Sequence, residues 1–246
     1  MDSGSVLHTD VLIIGAGVAG LSAASDLQGA GLSVVVLERE ARVGGRLADH
    51  RIGDAVFDAG AQFITARDGR FLAAIERWRE AGVVEEWFGR GGNGGGHPRW
   101  RGKPTMRAIA DRLAQDLDVR LGRPVLSLRR HGEGWAAEVD DGTTVLAGAV
   151  ALTPPVPQAL ALLEAGGYGL SPSKSARLDP IEYHRCIAVM AVPQGPVRIP
   201  PPGGLAPGDG PIGWIADNQM KGVSTVAAVT VHATAAFSRM HWDRDR

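Results

Sequence analysis

The chain has 246 residues with 26 basic and 27 acidic side chains, a formal charge of −1, so no global field directs it to nucleic acid or to an anionic membrane. Its single cysteine, Cys186, excludes an intrachain disulfide framework and fits a cytoplasmic protein. No apolar run reaches the ~20 residues that span a bilayer, and Met1-Asp2 lacks the basic start of a signal peptide. The length suits two modest domains with their own cores.

The first element is a buried parallel strand, Val11–Ile14, followed by Gly15-Ala16-Gly17-Val18-Ala19-Gly20 with G-x-G-x-x-G spacing. Gly15 lets the chain turn out of the strand, Gly17 lets backbone approach a pyrophosphate, and Gly20 lets the next helix pack closely. That helix, with Leu21, Ala23, Ala24 and Leu27, aims its first amides at phosphate. Ser33 to Leu37 is the next strand, and Glu38 stands at its end. A carboxylate there accepts from a ribose diol and repels a 2′-phosphate, so FAD or NAD is favoured over NADP. The Gly44-Gly45 pair, flanked by Arg42 and Arg46, suits a second anion contact.

Further along, Val56 to Ile64 predicts a strand broken by Gly60, where backbone should lie close to a ligand or another segment. Phe71, Leu72, Ile75 and Trp78 share one face of a helix ending near Gly82. Six glycines between Gly89 and Gly96 predict a mobile loop. Met106, Ile109, Leu113 and Leu117 recur at helical spacing. The period then becomes two, giving a β-meander from Val119–Leu121, Pro124–Arg130, Trp135–Val139 and Thr144–Leu146. Ala149–Leu152 reads as a returning core strand, and Val156–Ala165 as a helix. Tyr183–Val192 and Thr225–His232 predict two longer strands. Between them, 193–211 holds seven of the fifteen prolines and should be irregular.

These residues carry a resemblance. The glycine turn, the acid at the next strand end and Arg42-Val43-Gly44-Gly45-Arg46 together resemble the FAD domain of flavin amine oxidases. Within that superfamily, Asp58-Ala59-Gly60-Ala61-Gln62-Phe63-Ile64-Thr65-Ala66-Arg67 is similar to a segment of bacterial renalases. Trp100 to Met106 and His232 to Arg239 echo two more, with Thr105 where a glycine is expected. The implied fold is α/β: a discontinuous Rossmann-like FAD-binding domain with a β-meander (1–70 and 106–155), plus an α+β substrate domain built on a β-sheet (71–105 and 156–246). The resemblance also implies a closing segment with a Gly-Asp pair beyond the His232 stretch. The sequence to Arg246 does not supply it, so the chain reads as a C-terminally truncated member whose hold on FAD is open.

Carried over by position, Gly15, Gly17 and Gly20 would hold the FAD pyrophosphate, with Glu38 on the adenosine ribose. Arg39 would lie against the adenine and Val125 would contact it through backbone. Gly45 and Arg46 would serve phosphate or ribityl oxygens, and Ala61, Gln62 and Phe63 would run beside the isoalloxazine. The flavin should be non-covalent, because Cys186 falls in the substrate domain. Renalase-like enzymes oxidise dihydro-isomers of NAD(P)H and pass the electrons to dioxygen, a hydride transfer that needs orientation and no general base. Candidate substrate contacts are Asn218, His232 and Arg239, with Gln62 from the flavin side. No histidines pair at metal-ligand spacing, so no metal site is expected. An amine oxidase or desaturase, and a non-catalytic nucleotide-binding fragment, are the alternatives.

Overall fold

The computed structural model describes residues 5–89 and 97–243. In chain order these form β1 (Val6–Ile14), α1 (Val18–Gly29), β2 (Val34–Leu37), β3 (Asp49–Ile52), β4 (Ala55–Asp58), α2 (Gly69–Glu80), β5 (Val84–Phe88) and β6 (Arg99–Gly102). They continue with α3 (Ala108–Ala114), β7 (Asp118–Arg120), β8 (Val125–His131), β9 (Gly134–Val139), β10 (Thr144–Leu152), α4 (Val156–Ala165) and α5 (Pro172–Leu178). The last elements are β11 (Ala188–Ala191), β12 (Gly204–Leu205), β13 (Ile212–Asp217), β14 (Val229–Ala233) and α6 (Ala235–His241). Two compact units result: Met1–Gly45 with Ala110–Tyr183, and Arg46–Ile109 with His184–Arg246. The bounds differ from those expected. Residues 46–70 and 106–109 group with the second unit, and 156–183 with the first.

The first unit is built on one mixed sheet of order β7-β2-β1-β10-β9-β8. β1 lies parallel to β2 and β10, β2 lies parallel to β7, and β8, β9 and β10 are antiparallel neighbours. Val34–Leu37 is apolar and buried throughout, as a strand covered on both faces must be. β1 starts at Val6 and not at Val11. Its first half alternates in exposure and pairs with Thr144–Ala147, and only its second half is fully buried. The meander strand and the returning core strand, expected to be separate, are one strand. Ala147 and Gly148 do not break it, because β10 keeps register with β1 from Val6↔Thr144 to Ile14↔Leu152. Leu12, Ile14, Val35, Leu37, Leu128, Val139, Val145 and Leu163 form the core, and Leu163 brings α4 into it.

The second unit contains a four-stranded antiparallel sheet of order β11-β14-β13-β12 and two hairpins, β3–β4 and β5–β6. The two strands predicted late in the chain do pair, as β11 and β14, but are shorter than predicted and belong to a different sheet from Val11–Ile14. β13 was not anticipated, nor were the β3–β4 and β5–β6 pairings. The strand predicted over Val56–Ile64 ends at Asp58, where its polar atoms turn to partners other than a ladder. The helix predicted from Met106 to Leu117 is confined to Ala108–Ala114. Residues 193–211 are irregular except for the two-residue β12. Of the glycine-rich loop, residues 90–96 lie outside the described residues. No helix among the described residues is long and apolar enough to cross a membrane.

In the first unit, Asp10 on β1 accepts from the Ser33 amide at 2.8 Å and from its hydroxyl at 2.7 Å, clipping β1 to the start of β2. These bonds hold the Asp10 carboxyl below its ordinary 3.8. A depressed carboxyl contributes stability that is present above its unfolded value and lost as pH falls through the folded one. Asp10→Asn should therefore flatten the acid limb of stability below about pH 4, the unfolded value of an aspartate, read as melting temperature against pH in both proteins.

Candidate functional site

In the first unit the glycine turn leaves β1 at Gly15 and delivers the chain into α1. A Cβ at Gly20 would overlap the Gly15 carbonyl oxygen, so only glycine permits this approach of helix to turn. α1 begins with no side-chain cap and no acidic residue in its first turn, and a Cβ on Gly17 would meet nothing within 4 Å. An uncapped helix start with open space over its glycine fits a pyrophosphate. The second glycine pair joins the same turn: the Gly44 amide donates to the Ala16 carbonyl at 2.9 Å, and Gly17 and Gly44 form a parallel bridge.

Glu38 is buried at the end of β2. Its carboxylate accepts from the Ala16 amide at 2.6 Å and from the Glu40 amide at 3.0 Å. The acid thus fixes the turn as well as facing it, and its remaining lone pairs suit a ribose diol. Arg39 is exposed and ion-paired with Glu40 at 3.2 Å. Val125 is half-buried against the core at the start of β8. Gly15, Gly17, Gly20, Glu38, Gly45 and Val125 all belong to this unit.

The second unit holds Arg46, Ala61, Gln62, Phe63, Asn218, His232 and Arg239. Arg46 is exposed, and its carbonyl accepts from the Ala61 amide at 2.8 Å. A Cβ at Gly60 would overlap that carbonyl, so the close approach predicted at Gly60 is to chain at Arg46. The residue that organises this unit is Asp58. Its Oδ2 accepts from Lys221 Nζ at 2.7 Å and its Oδ1 from the Met106 amide at 2.8 Å. Its amide donates to Asn218 Oδ1 at 3.2 Å, and its carbonyl accepts from Gln62 Nε2 at 2.7 Å and Thr230 Oγ1 at 3.1 Å. Both members of the Asp58–Lys221 pair have fully buried side chains. Burial pushes the Asp58 carboxyl up and the Lys221 ammonium down, each opposed by attraction to its partner.

Three expected site residues are drawn into this scaffold. Gln62 donates to the Asp58 and Gly60 carbonyls, and Lys221 Nζ lies 3.4 Å from its Oε1. Asn218 is fully buried, and its amide group bonds Asp58, Ala228 and Thr230. That leaves it holding the segment's backbone in place of the substrate contact expected of it. His232 Nε2 lies 2.9 Å from the Ala59 carbonyl and pins the next residue along. Thr234 caps α6, and the Ser238 hydroxyl accepts from the Ile187 amide at 2.9 Å, so the His232–Ser238 stretch is also a structural clamp. Arg239 is exposed on α6. Phe63 lies in a ring cluster with Trp87, Phe88 and Trp214. Lys221 and the role of Asp58 were missed. The available signal was a carboxylate closing the apolar run Ala55-Val56-Phe57, since a buried acid requires a partner.

A Rossmann-type turn with an acid at the second strand end, a mixed sheet with a meander, and a second unit with its own antiparallel sheet define an α/β fold of the dinucleotide-binding kind. Residues 13–78 match an NAD(P)-binding Rossmann-like domain, and residues 73–218 match the flavin containing amine oxidoreductases. The second match covers more than half of the chain, and the protein belongs to that family, whose cofactor is FAD. Putrescine oxidase of Kocuria rosea is 38% identical over 76 residues, 31% of this chain and 16% of that enzyme. A possible lysine-specific histone demethylase 1 of Drosophila melanogaster is 39% identical over 67 residues, 27% of this chain and 8% of that protein. Wild-type putrescine oxidase bound to putrescine superposes with a TM-score of 0.71 at 17% identity, over 97% of this chain and 78% of that one. At that identity the likeness concerns the fold alone.

Glu38→Ala should weaken FAD binding by about 1–3 kcal/mol, the range for losing a charge-assisted acceptor, and Glu38→Gln by less. Titration of the apoprotein with FAD decides it; equal affinities in all three proteins would remove Glu38 from the site. Lys221→Met should cost about 3–5 kcal/mol by stranding a buried carboxylate, and pairing it with Asp58→Asn should recover part of that. Urea unfolding of the single and double variants measures both.

Proposed function

We propose that this chain is a FAD-dependent oxidoreductase that takes hydride from dihydronicotinamide substrates, isomers of NAD(P)H with the hydride on an unproductive ring carbon, and passes the electrons to dioxygen. Bound FAD supplies the hydride acceptor, and the protein supplies position and electrostatics. The observation that carries the reading is how the Asp58–Phe63 segment is held. Asp58, Gln62, Asn218, Lys221 and His232 bond one another and the segment's own backbone. Polar side chains, titratable ones such as Asp58, Lys221 and His232 among them, that are tied into a scaffold suit a reaction that needs orientation and not a base. Hydride departure from a dihydropyridine is such a reaction, because it leaves an aromatic pyridinium.

On this reading, Gly15, Gly17 and Gly20 hold the pyrophosphate and Glu38 the ribose, while Gly45 and Arg46 serve further phosphate or ribityl oxygens. Ala61, Gln62 and Phe63 run beside the isoalloxazine, on a segment whose start Asn218 holds at Asp58 and His232 at Ala59. A second reading, oxidation of an amine, is favoured by the identity to putrescine oxidase over 76 residues. The two separate in a turnover assay of the FAD-loaded protein. Peroxide should form with 2- or 6-dihydro-NAD(P) and only slowly with putrescine or benzylamine. Flavin bleaching by the amines, with none by the dihydronicotinamides, would transfer the assignment to amine oxidation.

A further inference from the structure

The second unit contains a ring cluster with an unusual charge and donor content. Phe63 lies 5.4 Å from Trp214 and 6.4 Å from both Trp87 and Phe88, centroid to centroid, and Trp87 lies 5.1 Å from Phe88. All four rings are half-buried, so the cluster is a partly open surface and not a sealed core. Two of the chain's own cations already sit on these rings. The Arg99 guanidinium stands 4.8 Å from the Phe63 centroid and 4.9 Å from that of Phe88, and Lys221 Nζ stands 4.8 Å from that of Trp87. Among the described residues, the buried side-chain polar atoms without a partner are Arg99 Nε, Arg101 Nη1 and Trp214 Nε1. Each is an N–H donor, and two of them belong to the cluster.

A ring face attracts a cation, and an added alkylammonium would ordinarily be the preferred guest of such a cluster. Here the Arg99 guanidinium holds the Phe63 and Phe88 faces, so a second cation meets like charge there, whereas Lys221 over Trp87 is neutralised by Asp58. The nearby carboxylate of Glu85 is engaged by Arg101 and Lys103, and Glu86 is exposed. A buried N–H without an acceptor carries a desolvation cost that an incoming oxygen would relieve. Because both N–H groups are buried, the half-buried Arg99 or Trp214 side chain must turn to present its donor to such a guest.

We propose that Phe63, Trp87, Phe88, Trp214 and Arg99 form a subsite for a flat ring bearing a hydrogen-bond acceptor or an anionic group, and that the subsite rejects alkylammonium groups. The inference deepens the dihydronicotinamide reading and rests on it for the identity of the ring. Offset stacking on ring faces that neither Arg99 nor Lys221 covers holds the guest ring, and Arg99 Nε and Trp214 Nε1 bond its carboxamide or carboxylate oxygen.

Isothermal titration calorimetry with nicotinate and benzylamine, on FAD-free and FAD-loaded protein, tests this without turnover. Nicotinate should bind both forms, with benzylamine at least about tenfold weaker. Arg99→Gln should weaken nicotinate about five- to hundredfold with an unchanged melting temperature, and Trp214→Phe, which keeps a ring and removes the donor, should weaken it in the same direction. Tighter binding of benzylamine, no binding of nicotinate, or equal binding by wild type and both variants would overturn the subsite. So would loss of nicotinate binding on loading with FAD, which would give the donors to a flavin carbonyl. Nicotinate binding without oxidation of any dihydronicotinamide would leave the subsite standing and remove the proposed reaction.

Discussion

The buried Asp58–Lys221 pair is the interaction on which the second unit depends. A carboxylate and an ammonium with no exposed side-chain surface are tolerable only together, because either alone would leave an uncompensated charge in a medium that solvates it poorly. Their contact does more than cancel charge. Through Asp58 it gathers β4, the amide of Met106, the loop carrying Asn218 and Lys221, and Thr230 on β14. Segments separated by more than a hundred residues are thereby brought to one carboxylate. Such a pair is often no more stabilising than well-packed apolar residues would be. What it contributes here is a fixed path for the backbone from Asp58 to Phe63.

In the first unit the comparable constraint is steric. The helix α1 can approach the turn only because Gly20 has no side chain, and the turn keeps its shape because Glu38 takes the amides of Ala16 and Glu40. An acid expected from the sequence to be a ligand contact is, in the structure, part of the frame of the turn. The same duality recurs in the second unit, where Gln62 and His232 bond backbone carbonyls and Asn218 bonds the Asp58 amide. Side chains that look catalytic by type are used to orient backbone, which suits chemistry governed by position.

The local devices were legible in the sequence. The glycine spacing, the acid at the end of β2, the apolar run of Val34–Leu37, the helix at Val156–Ala165 and the β8–β9–β10 meander each rest on neighbours within a few tens of residues. Val119–Leu121, expected in that meander, instead overlaps β7, which lies parallel to β2 at the opposite edge of the sheet. Elements whose existence depends on distant partners were harder to read. β13 and the β5–β6 hairpin have no strong alternation, and the register with β1 turned two predicted strands into the single β10. The family was carried by motif order, which survives even where the strand ends were misplaced.

The sequence by itself determined the dinucleotide turn, the α/β class and the FAD-binding family, because these follow from short-range sterics and from a linear order of motifs. That Asp58 is held by Lys221, that the fully buried Asn218 bonds backbone, and that Arg99 and Lys221 lie on the rings around Phe63 emerge only from the folded chain. The physical reason is separation. A buried charge announces in sequence that it needs a partner, but the partner lies 163 positions away, and nothing local distinguishes that lysine from the others.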